Sequence, residues 1–156
     1  MLYLCNVKIK KNKNPKKIKI MKTKIELIEI EEIINSIQNE NELFNKIMPF
    51  IKSVGQYAFR FSNFTGSFNC PNLTSIGNGA FASSQFTGSF NCPNLTSIGQ
   101  YAFVNSNFDT ITIGANAILE RGCIGAHSDE FINDYEANGR QAGTYVWNGE
   151  HWIYQK

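Results

Sequence analysis

The residue types best suited to chemistry in this chain are its cysteines and histidines, but their spacing does not assemble a reactive site. Cys123 and His127 lie close together, with His151 further on, and such residues can form a zinc site or a thiol–base pair. No second cysteine or histidine pair follows at ligand spacing, and the sequence has no phosphate-binding loop, dinucleotide-binding glycine motif or nucleophile elbow. We therefore expect no catalytic residue, no metal ligand and no cofactor, and we predict that the chain is not an enzyme.

Two further cysteines, Cys70 and Cys92, occupy the same place in a repeated sequence, where a looser third copy has Ile113. An isolated cysteine in an apolar position behaves as a small hydrophobic residue. A disulfide between directly opposed positions of parallel strands would have poor geometry. We therefore expect both to be buried free thiols. Cys5 lies outside this pattern.

The element that must position these residues is a tandem repeat. The sequence FTGSFNCPNLTSIG occurs at residues 64–77 and again, unchanged, at residues 86–99, and GQYAF, GNGAF and GQYAF keep the same spacing. The period is 22 residues. A repeat of this length cannot bury its own apolar face and uses its neighbour, which predicts a solenoid. N-x-T triplets begin at Asn63, Asn72 and Asn94, but the repeat itself generates two of them, so they are weak evidence for glycosylation.

Superposing the repeats assigns a role to each column. We expect four apolar columns to stack along the solenoid axis: Ile51, Leu73, Leu95; Val54, Ile76, Ile98; Phe59, Phe81, Phe103; and Phe64, Phe86, Phe108. We expect small residues where turns pack closely, at Gly55, Gly77, Gly99 and Ala58, Ala80, Ala102. A serine column, Ser62, Ser84 and Ser106, is predicted to bond to backbone groups at the bend.

Residues 64–70 alternate apolar and polar side chains, which predicts a strand with one buried face. The last such strand is expected at residues 108–113, with a slip of one residue. The outward side chains would form a neutral, hydrogen-bonding wall, and the positions that differ between copies are where discrimination between partners is expected. The candidate partner-binding residues are Ser67, Asn69, Ser89 and Asn91 on the wall, Tyr57, Arg60, Phe61 and Tyr101 at the variable positions, and Trp147 and Trp152 near the C terminus.

Ahead of the repeats, residues 22–43 are predicted to form an N-terminal helical cap. Leu27, Ile30, Ile34 and Ile37 follow steps of three and four and so lie on one face of a helix. Asn41 is expected to cap a second, short helix over residues 42–48, which Pro49 closes. A cap over the open end of the solenoid is the favoured interpretation. A coiled-coil partner helix is the alternative.

After the solenoid, assigned to residues 44–118, residues 119–156 are predicted to form a C-terminal cap of a helix and a β-hairpin. Ser128 is expected to cap the helix and Asn138-Gly139 to end it. Asn148-Gly149 favours a type I′ turn within a hairpin over residues 144–154. In that register Tyr145, Trp147, Trp152 and Tyr154 share one face. This face either packs over the last turn or is exposed and stacks on sugar rings.

Charge divides the chain unevenly. Nine of the fifteen basic residues precede Ile25; from there onward six basic residues stand against thirteen acidic residues, a net charge of −7. Between Ser53 and Phe108 the only charged residue is Arg60, which leaves nothing to neutralise phosphates and argues against a nucleic-acid partner. Residues 1–21 are read as a solvated basic leader, with translation starting at Met1 or at Met21; a nucleic-acid or membrane tail is the less favoured alternative. No transmembrane segment or export signal is recognised.

The motifs LTSIGxxAF and FTGSxxxP resemble the leucine-rich repeat of the BspA-like bacterial surface proteins, over residues 44–118. The resemblance implies an α/β fold, a short leucine-rich solenoid of about three parallel turns. It also implies that the protein lies at the cell surface or outside the cell. There it would act in adhesion by binding a protein or glycan ligand. The absence of a recognised export signal favours the alternative, an intracellular interaction scaffold or a truncated paralogue.

Overall fold

A computed structural model describes residues 40–156 of the chain. Helix α1, Glu40–Ile47, leads through a 3₁₀ turn, Met48–Phe50, into the repeats. The strands are β1 (Ser53–Val54), β2 (Thr65–Asn69), β3 (Ser75–Ile76), β4 (Gln85–Cys92), β5 (Ser97–Ile98), β6 (Asn107–Ile113), β7 (Ile118–Leu119), β8 (Gly143–Trp147) and β9 (Trp152–Gln155), with helix α2 (Ser128–Ala137) between β7 and β8.

The strands form two sheets that face each other across the coil. The long sheet has the order β2-β4-β6-β8-β9 and the short sheet has the order β1-β3-β5-β7. Within the repeats every pairing is parallel, and Ser53, Ser75 and Ser97 stand directly opposite one another. This arrangement confirms the predicted leucine-rich solenoid of about three turns.

The predicted apolar columns fill the space between the sheets. All twelve of their members are buried. In the central column the rings of Phe59, Phe81 and Phe103 are stacked, with centroid steps of 5.2 and 5.0 Å. Ser84 Oγ donates to the Ser62 carbonyl and Ser106 Oγ to the Ser84 carbonyl, each at 3.3 Å, so the serine column bonds to the backbone as expected.

The strands of the long sheet carry a bulge that simple alternation does not predict. Gly66 and Gly88 adopt φ of 78° and 73°, and the pairing register shifts beside each of them. The shift leaves Gly66 exposed between the outward Thr65 and Ser67. Between its inward residues Phe108 and Ile111, β6 has one residue fewer than β4 has between Phe86 and Phe90. Phe90 therefore pairs with Ile111, which confirms the predicted slip.

At the N-terminal end, the predicted helix that carries Leu27, Ile30, Ile34 and Ile37 lies outside the described residues. Asn41 lies within helix α1, so its predicted role as the cap of a helix over residues 42–48 is wrong. Its side chain instead bonds to β2: Oδ1 accepts from the Thr65 N–H at 3.2 Å and Nδ2 donates to Thr65 Oγ1 at 3.3 Å. Phe44 packs on the first turn, with its ring 4.6 Å from that of Phe64.

Helix α2 is where predicted but begins differently. Its N-cap is His127, at φ 56°, without a side-chain cap bond. Ser128 is buried, and its Oγ accepts from the Ile124 N–H at 3.3 Å and lies 3.9 Å from Cys123 Sγ, so the predicted Ser128 cap is wrong. At the other end the helix closes at Asn138, and Gly139 has φ 67°, as the Asn-Gly pair predicts.

The C-terminal hairpin extends the long sheet. Strand β8 pairs antiparallel with β6, and β9 pairs antiparallel with β8. Trp147 pairs with Trp152, which leaves a loop of four residues. Asn148 Oδ1 accepts from the N–H groups of Glu150 (2.9 Å) and His151 (2.8 Å). The predicted two-residue type I′ turn is therefore wrong.

Candidate partner-binding site

The outward face of the long sheet brings the predicted wall residues together and extends them. Two rows of side chains cross all five strands. The first row is Asn69, Asn91, Thr112, Thr144 and Gln155, and the second is Ser67, Ser89, Thr110, Val146 and Ile153. None of these ten side chains is charged. We call them the sheet face.

Hydrogen bonds between neighbouring strands hold the sheet face in place. Asn91 Nδ2 donates to Asn69 Oδ1 at 2.9 Å. Thr112 and Thr144 join their hydroxyls at 2.9 Å across the junction between the parallel and antiparallel parts of the sheet. Fixing side chains before binding lowers the entropy lost when a partner orders them. The first row of the sheet face is therefore a partly preorganised line of neutral donors and acceptors.

Sequence reasoning identified four of the ten residues of the sheet face, Ser67, Asn69, Ser89 and Asn91. The residues of the hairpin part, Thr144, Val146, Ile153 and Gln155, follow from the register that pairs β8 with β6. That pairing carries no repeat signal. At this end the second row becomes apolar, and Ile153 is 45% exposed.

The variable positions lie apart from the sheet face, in the turns that lead into the long sheet. Tyr57, Phe61 and Tyr101 are exposed, and each has a positive φ, of 55°, 65° and 54°. The guanidinium carbon of Arg60 lies 5.2 Å from the ring centre of Tyr57 and 4.6 Å from that of Phe61. We call these four residues the aromatic ridge.

The two tryptophans do not form the exposed aromatic surface that was one interpretation of the hairpin. Trp152 is 3% exposed, and its ring packs 5.3 Å from that of Phe131. Its Nε1 donates to the His127 carbonyl at 3.3 Å. Trp147 is half-buried and stacks on the His127 ring at 4.1 Å. The shared face thus packs against α2, and Trp152 belongs to the core.

The three cysteines within residues 40–156 lie in the core. Cys70, Cys92 and Cys123 are buried free thiols, which confirms the prediction for the repeat pair. Burial raises the pKa of the Cys123 thiol to about 12 and also raises the pKa of Cys70, so neither is a thiolate at neutral pH. Within residues 40–156 no group of three or more His, Cys, Asp and Glu side chains is placed to hold a metal ion.

The repeated Asn-Leu-Thr triplets join one turn to the next. Asn72 Nδ2 donates to the Pro49 carbonyl at 2.7 Å, and Asn94 Nδ2 donates to the Pro71 carbonyl at 2.8 Å. The hydroxyls of Thr74 and Thr96 donate to backbone carbonyls of the preceding turn, both at 2.8 Å. The repetition of these triplets therefore has a structural cause.

Comparison with known proteins agrees with this architecture. A family model described as a BspA type leucine rich repeat region matches residues 19–123 in six copies, which is more than half of the chain. The chain therefore belongs to the BspA-type leucine-rich repeat family. No curated protein and no solved structure matches the chain. Membership of this family indicates a protein-binding role, and such repeats are typically non-enzymatic.

Proposed function

We propose that this member of the BspA-type leucine-rich repeat family is a non-enzymatic adhesion module that binds a partner protein at the cell surface through the sheet face. The observation that carries the proposal is the continuity of the sheet face. Ten uncharged side chains span five strands, and cross-strand bonds fix four of them, two in the parallel part and two at the antiparallel junction.

A face of this kind can bind a partner protein through a large contact area. Binding it removes no charged group from water, so the large desolvation cost of a buried ion does not arise. The repeated hydroxyls and amides offer hydrogen bonds at the spacing of neighbouring strands, roughly 4.8 Å. Multiple weak contacts at regular spacing give affinity without a specialised pocket. The apolar end at Val146 and Ile153 adds surface whose burial is favourable.

The proposal also places the protein at the cell surface, which goes beyond a protein-binding role. It is supported by the family, whose members are often surface-associated. No helix within residues 40–156 is long and apolar enough to cross a membrane. The competing assignment is an intracellular interaction scaffold.

Protease treatment of intact native cells, with mass spectrometry of the released peptides, tests the location. We expect peptides from residues 64–113 to appear before lysis, with a cytoplasmic enzyme of the same cells remaining intact. Repeat peptides that appear only after lysis would contradict surface exposure and support the intracellular scaffold.

The role of the sheet face is tested by adding charge to it. Asn69→Arg with Thr110→Arg places two cations on non-adjacent strands, and we expect cells carrying this protein to lose most of their attachment to the surface that the wild-type cells colonise. The matched control is Gln56→Arg with Asn133→Arg, which adds the same charge at exposed positions outside the sheet face. Equal attachment by both variants would contradict a binding role for the sheet face.

A further inference from the structure

We propose that the aromatic ridge is a second binding site, which takes an acidic, proline-rich segment of a partner protein in the extended polyproline II conformation. This site is separate from the sheet face and does not depend on the proposed adhesion function. Three observations support it: exposed aromatic residues with a strained backbone, the spacing of the two tyrosines along the solenoid, and a single cation, Arg60, against Tyr57 and Phe61.

The aromatic residues occupy backbone positions that favour other residue types. The column that contains Tyr57 and Tyr101 has Gly79 and Gly122 in the alternate turns, and all four have φ between 54° and 64°. Glycine adopts this conformation freely, whereas an L side chain costs energy there. Phe61 is likewise strained and is 70% exposed, where the next turn has Ser83. The fold thus works with small residues at these places, and residues held in strained conformations on a surface point to function.

The rings of Tyr57 and Tyr101 form two exposed, flat surfaces, which we call the platforms. A Cβ atom built on Gly79 would lie 2.5 Å from Tyr57 Cε1, and one built on Gly122 would lie 2.6 Å from Tyr101 Cδ1. Each ring therefore lies over the glycine of the next turn, and about half of each tyrosine stays exposed, 52% and 43%.

The spacing of the platforms matches a polyproline II helix. Tyr57 and Tyr101 are two turns apart, and neighbouring strands are roughly 4.8 Å apart, so the platforms are separated by about 10 Å along the axis. A polyproline II helix has three residues per turn and a rise of 3.1 Å per residue, so its residues recur on one side every ~9 Å. Proline rings packed on aromatic side chains are the usual mode of recognising such segments.

Arg60 indicates which charge the bound segment carries. Arg60 is the only charged residue between Ser53 and Phe108. It is exposed and forms no salt bridge with any residue of the described chain. The rings of Tyr57 and Phe61 hold its guanidinium at the ridge. A carboxylate on the bound segment would pair with this guanidinium in a fixed position. A neutral glycan would offer hydroxyl acceptors but no opposite charge, so we favour the acidic peptide.

The test uses the purified full-length chain and a fluorescein-labelled peptide of four Pro-Pro-Glu repeats, followed by fluorescence polarisation. We expect saturable binding that weakens with added salt. Tyr101→Gly and Phe61→Ser introduce the residue types found at the equivalent positions of the neighbouring turn, Gly79 and Ser83, so the variants should fold. Each is expected to weaken binding by about tenfold. Arg60→Ala is expected to abolish the salt dependence. Phe50→Ala, which removes an exposed aromatic residue outside the ridge, should leave binding unchanged.

Two comparison ligands make the result decisive. The same peptide with Lys in place of Glu should not bind, and cellohexaose should not compete. Equal binding of the Lys peptide, binding of cellohexaose instead of the peptide, or absence of any peptide binding would each overturn the proposal. Unchanged affinity of Tyr101→Gly would overturn it as well. Circular dichroism spectra that match the wild type establish that the variants are folded.

Discussion

Buried thiols and phenols give the solenoid a defined weakness at alkaline pH. Cys70 and Cys123 lie in the core, and burial raises the pKa of both thiols above the ordinary value of 9.0. Burial likewise raises the pKa of Tyr135 and Tyr145 above 10.0. In the unfolded chain these groups lose their protons at ordinary pKa values, while in the folded chain they keep them. The stabilisation is therefore complete at neutral pH and is lost as pH rises past about 9.

We predict that the urea midpoint is constant from about pH 6 to pH 8 and falls above about pH 9. In a Cys5→Ser background, the three buried thiols should not react with Ellman's reagent at pH 8 until urea is added. Cys123→Ala should show a shallower alkaline fall than the parent, because one raised pKa has been removed. An identical fall in both proteins would contradict the assignment of alkaline sensitivity to Cys123.

At the scale of the element, the aromatic columns hold the turns together. Phe81 lies at their centre: its ring stacks on Phe59 and Phe103 and meets Phe68 edge-on at 5.0 Å. We predict that Phe81→Ala lowers the free energy of unfolding by about 3–5 kcal/mol, as measured by urea denaturation. Phe61→Ala is the matched control because its ring is 70% exposed, and it should change stability by less than about 0.5 kcal/mol. Similar losses of unfolding free energy in both variants would contradict the assignment of Phe81 to the core and Phe61 to the surface.

The glycine column provides a second test of how closely the turns approach. A Cβ on Gly77 would lie 2.5 Å from the backbone nitrogen of Gln56, and a Cβ on Gly55, its equivalent in the first turn, would meet nothing within 4 Å. Backbone atoms cannot move aside as a side chain can. We predict that Gly77→Ala costs about 3 kcal/mol of unfolding free energy, whereas Gly55→Ala stays within about 0.5 kcal/mol of the parent. A Gly77→Ala variant as stable as Gly55→Ala would show that neighbouring turns can move apart without a loss of unfolding free energy.

The repeat allowed the apolar columns and four of the ten sheet-face residues to be predicted, because its columns need only a period and an alternation. The local predictions failed where a side chain found another partner. Asn41 bonds to β2, Ser128 turns inward to Cys123 and Ile124, and Asn148 binds its own loop. A capping or turn preference is worth about 1 kcal/mol, which one tertiary contact can outweigh. The hairpin part of the sheet face depends on β6–β8 pairing, which no local pattern encodes.

At the scale of the whole molecule, the C-terminal hairpin closes one end of the parallel sheet. Without it, β6 would present a row of backbone groups to solvent, the usual site of unwanted strand pairing. Pairing with β8 satisfies that edge, and α2 fixes the hairpin through Phe131 and Trp152. Tyr135 anchors α2 to the last turn by donating its hydroxyl to the Gly114 carbonyl at 2.6 Å. The closing elements thus contact the final turn and leave the internal turns equivalent in their apolar columns.

This equivalence predicts that the array can be lengthened. A second copy of residues 78–99 inserted after Gly99 presents each apolar column with the same residue types as neighbours, so it should add one turn without disturbing either end. In a nearest-neighbour model each turn adds its own energy and one more interface. We therefore expect an unchanged or higher urea midpoint and a larger m-value, since more surface is exposed on unfolding. Small-angle scattering should show a longer particle by roughly 4.8 Å. The control is an insert of the same residues in scrambled order, which should be cleaved by protease. If the faithful copy is cleaved equally fast, the interfaces between turns are not interchangeable.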